Sequence, residues 1–217
     1  MSAGLAILIS GRGSNLQAFI DACKNGELEA KISVVISNNP GVEGLNRAAE
    51  AGIATRVVDH RDFDSRESFD AALVQELAGH TVDLVILAGF MRILTPVFIA
   101  PYTGRLLNVH PSLLPKYPGL HTHQRALEAG DEEAGVTVHF VTAELDGGPP
   151  IIQARVPVLA TDTAASLAQR VILKEHIIYP IAARWHLEQR LVLTEQGAFL
   201  DGKPIPETGV RYTNALH

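Results

Sequence analysis

Short apolar runs alternate with stretches of helical periodicity from the first residues of the chain. Residues 5–9, 32–36, 56–58, 84–88 and 106–109 read as strands. Two of them, 5–9 and 84–88, are apolar at every position, as expected of strands covered on both faces. Helices with readable ends lie between them. Ser14 with Gln17 fits a capping box, and Gly26 fits a stop after Lys24-Asn25. Ser65 opens a helix that Gly79 closes, and Thr95-Pro96 fits an N-cap followed by a proline in the first turn. This rhythm predicts a parallel sheet with right-handed crossovers.

The pattern changes after the middle of the chain. Residues 136–141 and 151–158 read as strands joined through the turn-rich Asp146-Gly147-Gly148-Pro149-Pro150. A long helix is expected from about Thr163 to Gln189, with Leu167, Val171, Ile172 and Ile178 forming a core-facing stripe. Residues 191–193 and a turn at Asp201-Gly202 read as an exposed hairpin. No repeat, linker or low-complexity tract interrupts the chain. The expectation is one α/β domain over residues 1–217: a Rossmann-like, mostly parallel twisted sheet flanked by helices on both faces, with antiparallel strands in the C-terminal part.

Composition narrows the function classes. The chain has 217 residues, 47% hydrophobic and 19% charged, which suits a folded domain with a sizeable core. The net charge of -6, with no Lys/Arg cluster, argues against a nucleic-acid partner. One cysteine, Cys23, leaves no intrachain disulfide. Met1-Ser2-Ala3-Gly4 lacks the basic region of a signal peptide, and no apolar run approaches the ~20 residues of a membrane span. The expected location is the cytoplasm, with no membrane partner.

Three places carry candidate chemistry. Ser10-Gly11-Arg12-Gly13-Ser14-Asn15 joins the first strand to the first helix. Glycines there allow close backbone approach, and the helix start presents N–H groups to an anion. Leu16 occupies the third glycine position of a dinucleotide fingerprint, so the turn points to a single phosphate rather than NAD. A tight turn before a capped helix explains the same residues without a ligand. Asn108 and His110 project from one side of a strand near its carboxyl end, where open α/β sheets bind ligands. An amide beside an imidazole suits a carbonyl oxygen that becomes negative during attack. A structural Asn and a capped His are the alternative. Asp146, bordered by Gly147, could orient His110 or could be an ordinary turn residue. His121-Thr122-His123 has the look of a metal-ligand pair, but it lacks a clear carboxylate partner and no metal is expected. His60, His80, His139, His176, His186 and His217 show no pattern that demands chemistry.

Taken together, Ile9-Ser10-Gly11-Arg12-Gly13-Ser14-Asn15, Ala88-Gly89-Phe90-Met91-Arg92-Ile93-Leu94, Asn108-Val109-His110-Pro111-Ser112-Leu113-Leu114-Pro115 and Leu145-Asp146-Gly147-Gly148 resemble the folate-dependent glycinamide ribonucleotide formyltransferases. The likeness runs in order from about Leu5 to Glu188. It implies formyl transfer from 10-formyltetrahydrofolate to the amine of glycinamide ribonucleotide, two small-molecule partners, and a monomer or homodimer. It implies that Asn108, His110 and Asp146 are catalytic and that Gly13, Ser14, Asn15 and Glu175 hold the nucleotide. Arg66 would meet the acidic tail of the folate. Met91, Arg92, Ile93 and Leu94 would line its pteridine, with Thr142, Glu144 and Leu145 in a folate loop that also brings Asp146. Ile172 and Ala143 depart from the family pattern, standing where relatives often carry Lys or Gln and Asp respectively.

Three other readings share these residues. The same site could pass formyl to water, although the relatives that do so usually carry an extra N-terminal regulatory domain and this chain starts at its first strand. Methionyl-tRNA formyltransferases share Ser112-Leu113-Leu114-Pro115 but need a tRNA-binding domain and a basic surface. A non-catalytic nucleotide sensor would leave the Asn108/His110 pairing without a purpose.

Overall fold

The computed structural model describes residues 2–213, so Met1 and His217 lie outside the described residues. The chain forms two compact units, one up to Asn108 and one from Val109 onward.

The first unit alternates strands and helices: β1 (Ala3–Ile9), α1 (Ser14–Lys24), β2 (Ala30–Ser37), α2 (Glu43–Glu50), β3 (Thr55–Val57), α3 (Arg66–Ala78), β4 (Leu84–Leu87), α4 (Pro96–Ile99) and β5 (Leu106–His110), whose last two residues belong to the second unit. Parallel pairings run β3-β2-β1-β4-β5. The all-apolar runs are the central strands, and Leu5 to Ile9 and Leu84 to Ile86 are fully buried. Ser65 opens α3, as its sequence predicts, and the structure adds Ser68 as its reciprocal capping partner. Gly26, at φ +76°, ends the turn after α1. The capping box expected at Ser14 and Gln17 does not form. Gly13 takes the N-cap position in the left-handed region, so Ser14 is already helical. The Gln17 amide reaches Asp21 instead, which leaves the start of α1 without a side-chain cap. Thr95 does precede α4, yet its hydroxyl donates to Asp70 rather than capping the helix.

The second unit contains α5 (Thr122–Glu128), β6 (Glu133–Phe140), β7 (Pro150–Pro157), α6 (Ala164–Leu187), β8 (Leu191–Thr194), β9 (Gly197–Leu200), β10 (Lys203–Pro204) and β11 (Val210–Arg211). β6 and β7 are antiparallel, and β11 adds to β7 in parallel. Thr163 and Ser166 cap α6, whose Leu167, Val171 and Ile178 are fully buried while Ile172 sits at the margin of the stripe. The tail is a three-stranded antiparallel sheet rather than a single exposed hairpin, with Leu191 and Ala198 buried. The turn residues Asp201 and Gly202, both at positive φ, join β9 to β10.

Eight strands hydrogen-bond in the order β11-β7-β6-β5-β4-β1-β2-β3, a mixed, mostly parallel sheet with helices between its strands. This is an α/β, Rossmann-like fold. Among the described residues no helix is long and apolar enough to cross a membrane.

Candidate active site

In the first unit the glycine-rich turn is held by α2. Gly44 N–H donates to the Gly11 carbonyl at 3.1 Å, and Arg47 Nε donates to the Arg12 carbonyl at 2.9 Å. Gly13 sits at φ +73°, and a Cβ there would lie 2.8 Å from Gly44 Cα. Both the dihedral and the close approach therefore demand glycine. Asn15 is buried at the start of α1. With no side-chain cap at its beginning, that helix can offer backbone N–H groups to an anion.

The segment 89–94 is presented in the same unit. Phe90 and Leu94 are buried, whereas Met91 is 71% and Ile93 54% exposed. Two large apolar side chains kept in solvent on a fixed backbone suit a flat apolar ligand. Arg92 is half-buried between them, and Arg66 is exposed at the first residue of α3.

The second unit supplies the ionisable groups. His110 and Asp146 are both buried, and His110 Nδ1 lies 3.4 Å from Asp146 Oδ2. The same oxygen accepts the Gly119 N–H at 2.9 Å. His110 Nε2 faces the Tyr117 carbonyl at 2.9 Å, so both ring nitrogens point at oxygens that only accept. Asp146 itself takes the left-handed conformation, at φ +52°. The glycine two residues later has a different task. A Cβ at Gly148 would lie 1.8 Å from the Phe140 carbonyl, so the turn closes only with glycine there. Thr142, Glu144 and Leu145 precede Asp146 in this loop, where the Thr142 hydroxyl reaches toward the Glu144 carbonyl at 3.5 Å and Leu145 is exposed. Asn108 stands two residues before His110 on β5, on the same side of the strand by alternation. Glu175 is buried on α6.

His139 belongs to this cluster, although nothing in its sequence context demanded chemistry. Its Nδ1 donates to the Phe140 carbonyl at 2.8 Å, which turns Nε2 toward Asp146 Oδ1 at 3.8 Å. Burial holds its pKa below the ordinary histidine value, the Phe140 bond and the Asp146 charge pull upward, and His110 adds to the lowering. The usable signal is a lone histidine between the apolar Val138 and Phe140 on β6. His123 is likewise pushed down by burial and by His110. Among the described residues no group of three or more His, Cys, Asp or Glu side chains is arranged to hold a metal ion.

The formyl transferase family model matches residues 3–183. Phosphoribosylglycinamide formyltransferase of Escherichia coli (strain K12) is 54% identical over 205 residues, covering 94% of this chain and 97% of that protein. The human trifunctional purine biosynthetic protein adenosine-3 is 46% identical over 195 residues, covering 90% of this chain and 19% of that longer protein. Among solved structures, phosphoribosylglycinamide formyltransferase of Coxiella burnetii superposes with a TM-score of 0.94 at 46% identity, covering 98% of this chain and all of that one.

Proposed function

The chain belongs to the formyl transferase family, and from that premise we propose that it transfers a formyl group from 10-formyltetrahydrofolate to the amine of 5'-phosphoribosylglycinamide, in purine biosynthesis. One observation carries the chemistry. His110, at the end of the strand that also bears Asn108, is paired with the Asp146 side chain at 3.4 Å. Both units act as one formyltransferase domain in this reading, supported by a family match that runs through Asn108 without a break. The protein works as a monomer or homodimer in the cytoplasm.

The division of labour follows from the two sets of residues. Gly13, Ser14 and Asn15 hold the phosphate at the start of α1, with Glu175 as a further nucleotide contact. Met91, Ile93 and Leu94 receive the pteridine with Arg92, while Arg66 meets the acidic tail of the folate. Thr142, Glu144 and Leu145 lie in the folate loop of the second unit. Bringing amine and formyl carbon together supplies about 7–11 kcal/mol of the barrier.

The amine nitrogen then bonds to the formyl carbon, and the carbonyl electron pair moves to oxygen. Asn108 donates to that oxyanion, a contribution of about 3 kcal/mol. His110 donates beside it, turning from the Tyr117 carbonyl, and Asp146 stabilises the positive charge on the ring. The intermediate collapses as the bond from carbon to the folate nitrogen breaks. The former amine loses one proton and the folate nitrogen gains one, so the step balances with tetrahydrofolate as product.

Formyl transfer assayed with the ribonucleotide present and then omitted tests this reading. Formylated ribonucleotide and tetrahydrofolate should appear together, with only background turnover when the amine is absent. Formate release at the same rate without amine would make the protein a hydrolase.

A further inference from the structure

Asp70 is the most deeply buried acid of the first unit, 1% exposed on the inner face of α3 beside Phe69 and Leu73. Its Oδ2 accepts both the Thr95 backbone N–H, at 2.5 Å, and the Thr95 hydroxyl, at 2.7 Å. Its other oxygen, Oδ1, is buried with no hydrogen-bond partner among the described residues. An ionised group in such a place costs stability unless it does something a leucine could not. What it does here is fix one residue through two bonds, and that residue ends the segment 89–95. The opposite end is fixed similarly. Ser10 Oγ accepts the Met91 N–H at 2.7 Å and donates to Asn38 Oδ1 at 2.5 Å.

Between these two clamps the chain has no helix or strand of its own, yet it keeps Phe90 and Leu94 inside and Met91 and Ile93 outside. We propose that Asp70 is a positioning residue for folate binding: with Ser10 at the other end, it holds Met91 and Ile93 in the arrangement that receives the pteridine. The inference rests on the function proposed above. Asp70 touches no substrate in this scheme and acts through Thr95 alone. Removing it frees the segment, and the ordering must then be supplied when the folate binds.

Tetrahydrofolate affinity by calorimetry, with kcat and both KM values, provides the test in Asp70→Ala, Asp70→Asn, Thr95→Val and Ser10→Ala. Loss of a charged acceptor with two donors predicts about a 10- to 100-fold weaker folate Kd and higher folate KM in Asp70→Ala. The ribonucleotide KM should stay within about twofold, because a charge-assisted bond made away from that ligand leaves its contacts intact. Asp70→Asn keeps an acceptor for Thr95 and should recover part of the loss. A role confined to stability would reduce the amount of folded protein and leave both KM values unchanged, which would overturn the proposal. If Asp70→Ala does not fold, unchanged folate affinity in both Thr95→Val and Ser10→Ala overturns it equally. Wild-type protein that binds no tetrahydrofolate would instead remove the functional reading itself.

Discussion

The two units reach their candidate chemistry by opposite means. In the first, the turn at Gly13 and the segment 89–94 are shaped by backbone: positive φ values, a glycine approached by Gly44, and side chains such as Ser10, Arg47 and Asp70 that bond to peptide groups. In the second, the working parts are ionisable side chains set against one another, His110, Asp146 and His139, within 3.4 to 3.8 Å. Backbone sites are intolerant of an added Cβ, whereas side-chain sites are intolerant of a lost proton carrier. Binding and chemistry should therefore fail separately.

The largest separation is expected at His110. His110→Ala removes the ring that donates to the oxyanion, and kcat should fall by about 10³-fold, within the range for a positioned acid–base group. Its ribonucleotide KM should change little. Steady-state assays with each substrate varied will show this, and a collapse of both KM values would erase the distinction.

Gly13→Ala should do the reverse. The new Cβ meets Gly44 Cα at 2.8 Å in a left-handed residue, so the turn must shift. The strain costs on the order of 1–3 kcal/mol of stability. We expect a higher ribonucleotide KM with kcat within a few-fold of wild type, checked by kinetics and thermal melting together.

The smallest expected effect concerns pH. Burial holds His139 below its ordinary value of 6.5 in the folded protein. The unfolded chain then takes up the proton first, so this group's share of stability is full above pH 6.5 and declines as the pH falls below it. Asp146 and His110 face it from the same unit, and His123 shifts in the same direction. His139→Gln should accordingly lose less Tm than wild type between pH 7.5 and 5.5. Parallel losses in the two proteins would show that His139 does not carry this dependence.

Periodicity made the strands of the first unit readable, because fully buried parallel strands leave unbroken apolar runs such as 5–9 and 84–88, whereas α2 went unannounced. It failed where a local rule had two solutions. Ser14 reads as an N-cap until Gly13 adopts φ +73° and starts the helix one residue earlier. Strand β11 is two residues long and borrows its order from β7, so no local pattern announces it. At the site, alternation was enough to pair Asn108 with His110. Asp146 entered only through family resemblance, since the contact to His110 spans a loop whose shape depends on Gly148 fitting under the Phe140 carbonyl. The sequence around His139 does not announce it, because its place in the cluster comes from Asp146 on the loop after β6.

Asp146 joins the legible and the illegible parts, and it gives the most direct test of the claim that the His110–Asp146 pair drives the chemistry. Asp146→Asn keeps the shape and an acceptor for Gly119 while removing the charge beside His110. Rapid-quench single turnover with both substrates saturating should show formyl transfer slowed by about 10³-fold or more, as for a triad carboxylate replaced by its amide. Kd for ribonucleotide should remain within about threefold, because a neutral amide at Asp146 leaves the phosphate-binding backbone of α1 untouched. Transfer within tenfold of wild type, or an equal loss placed in nucleotide binding, would contradict the assignment.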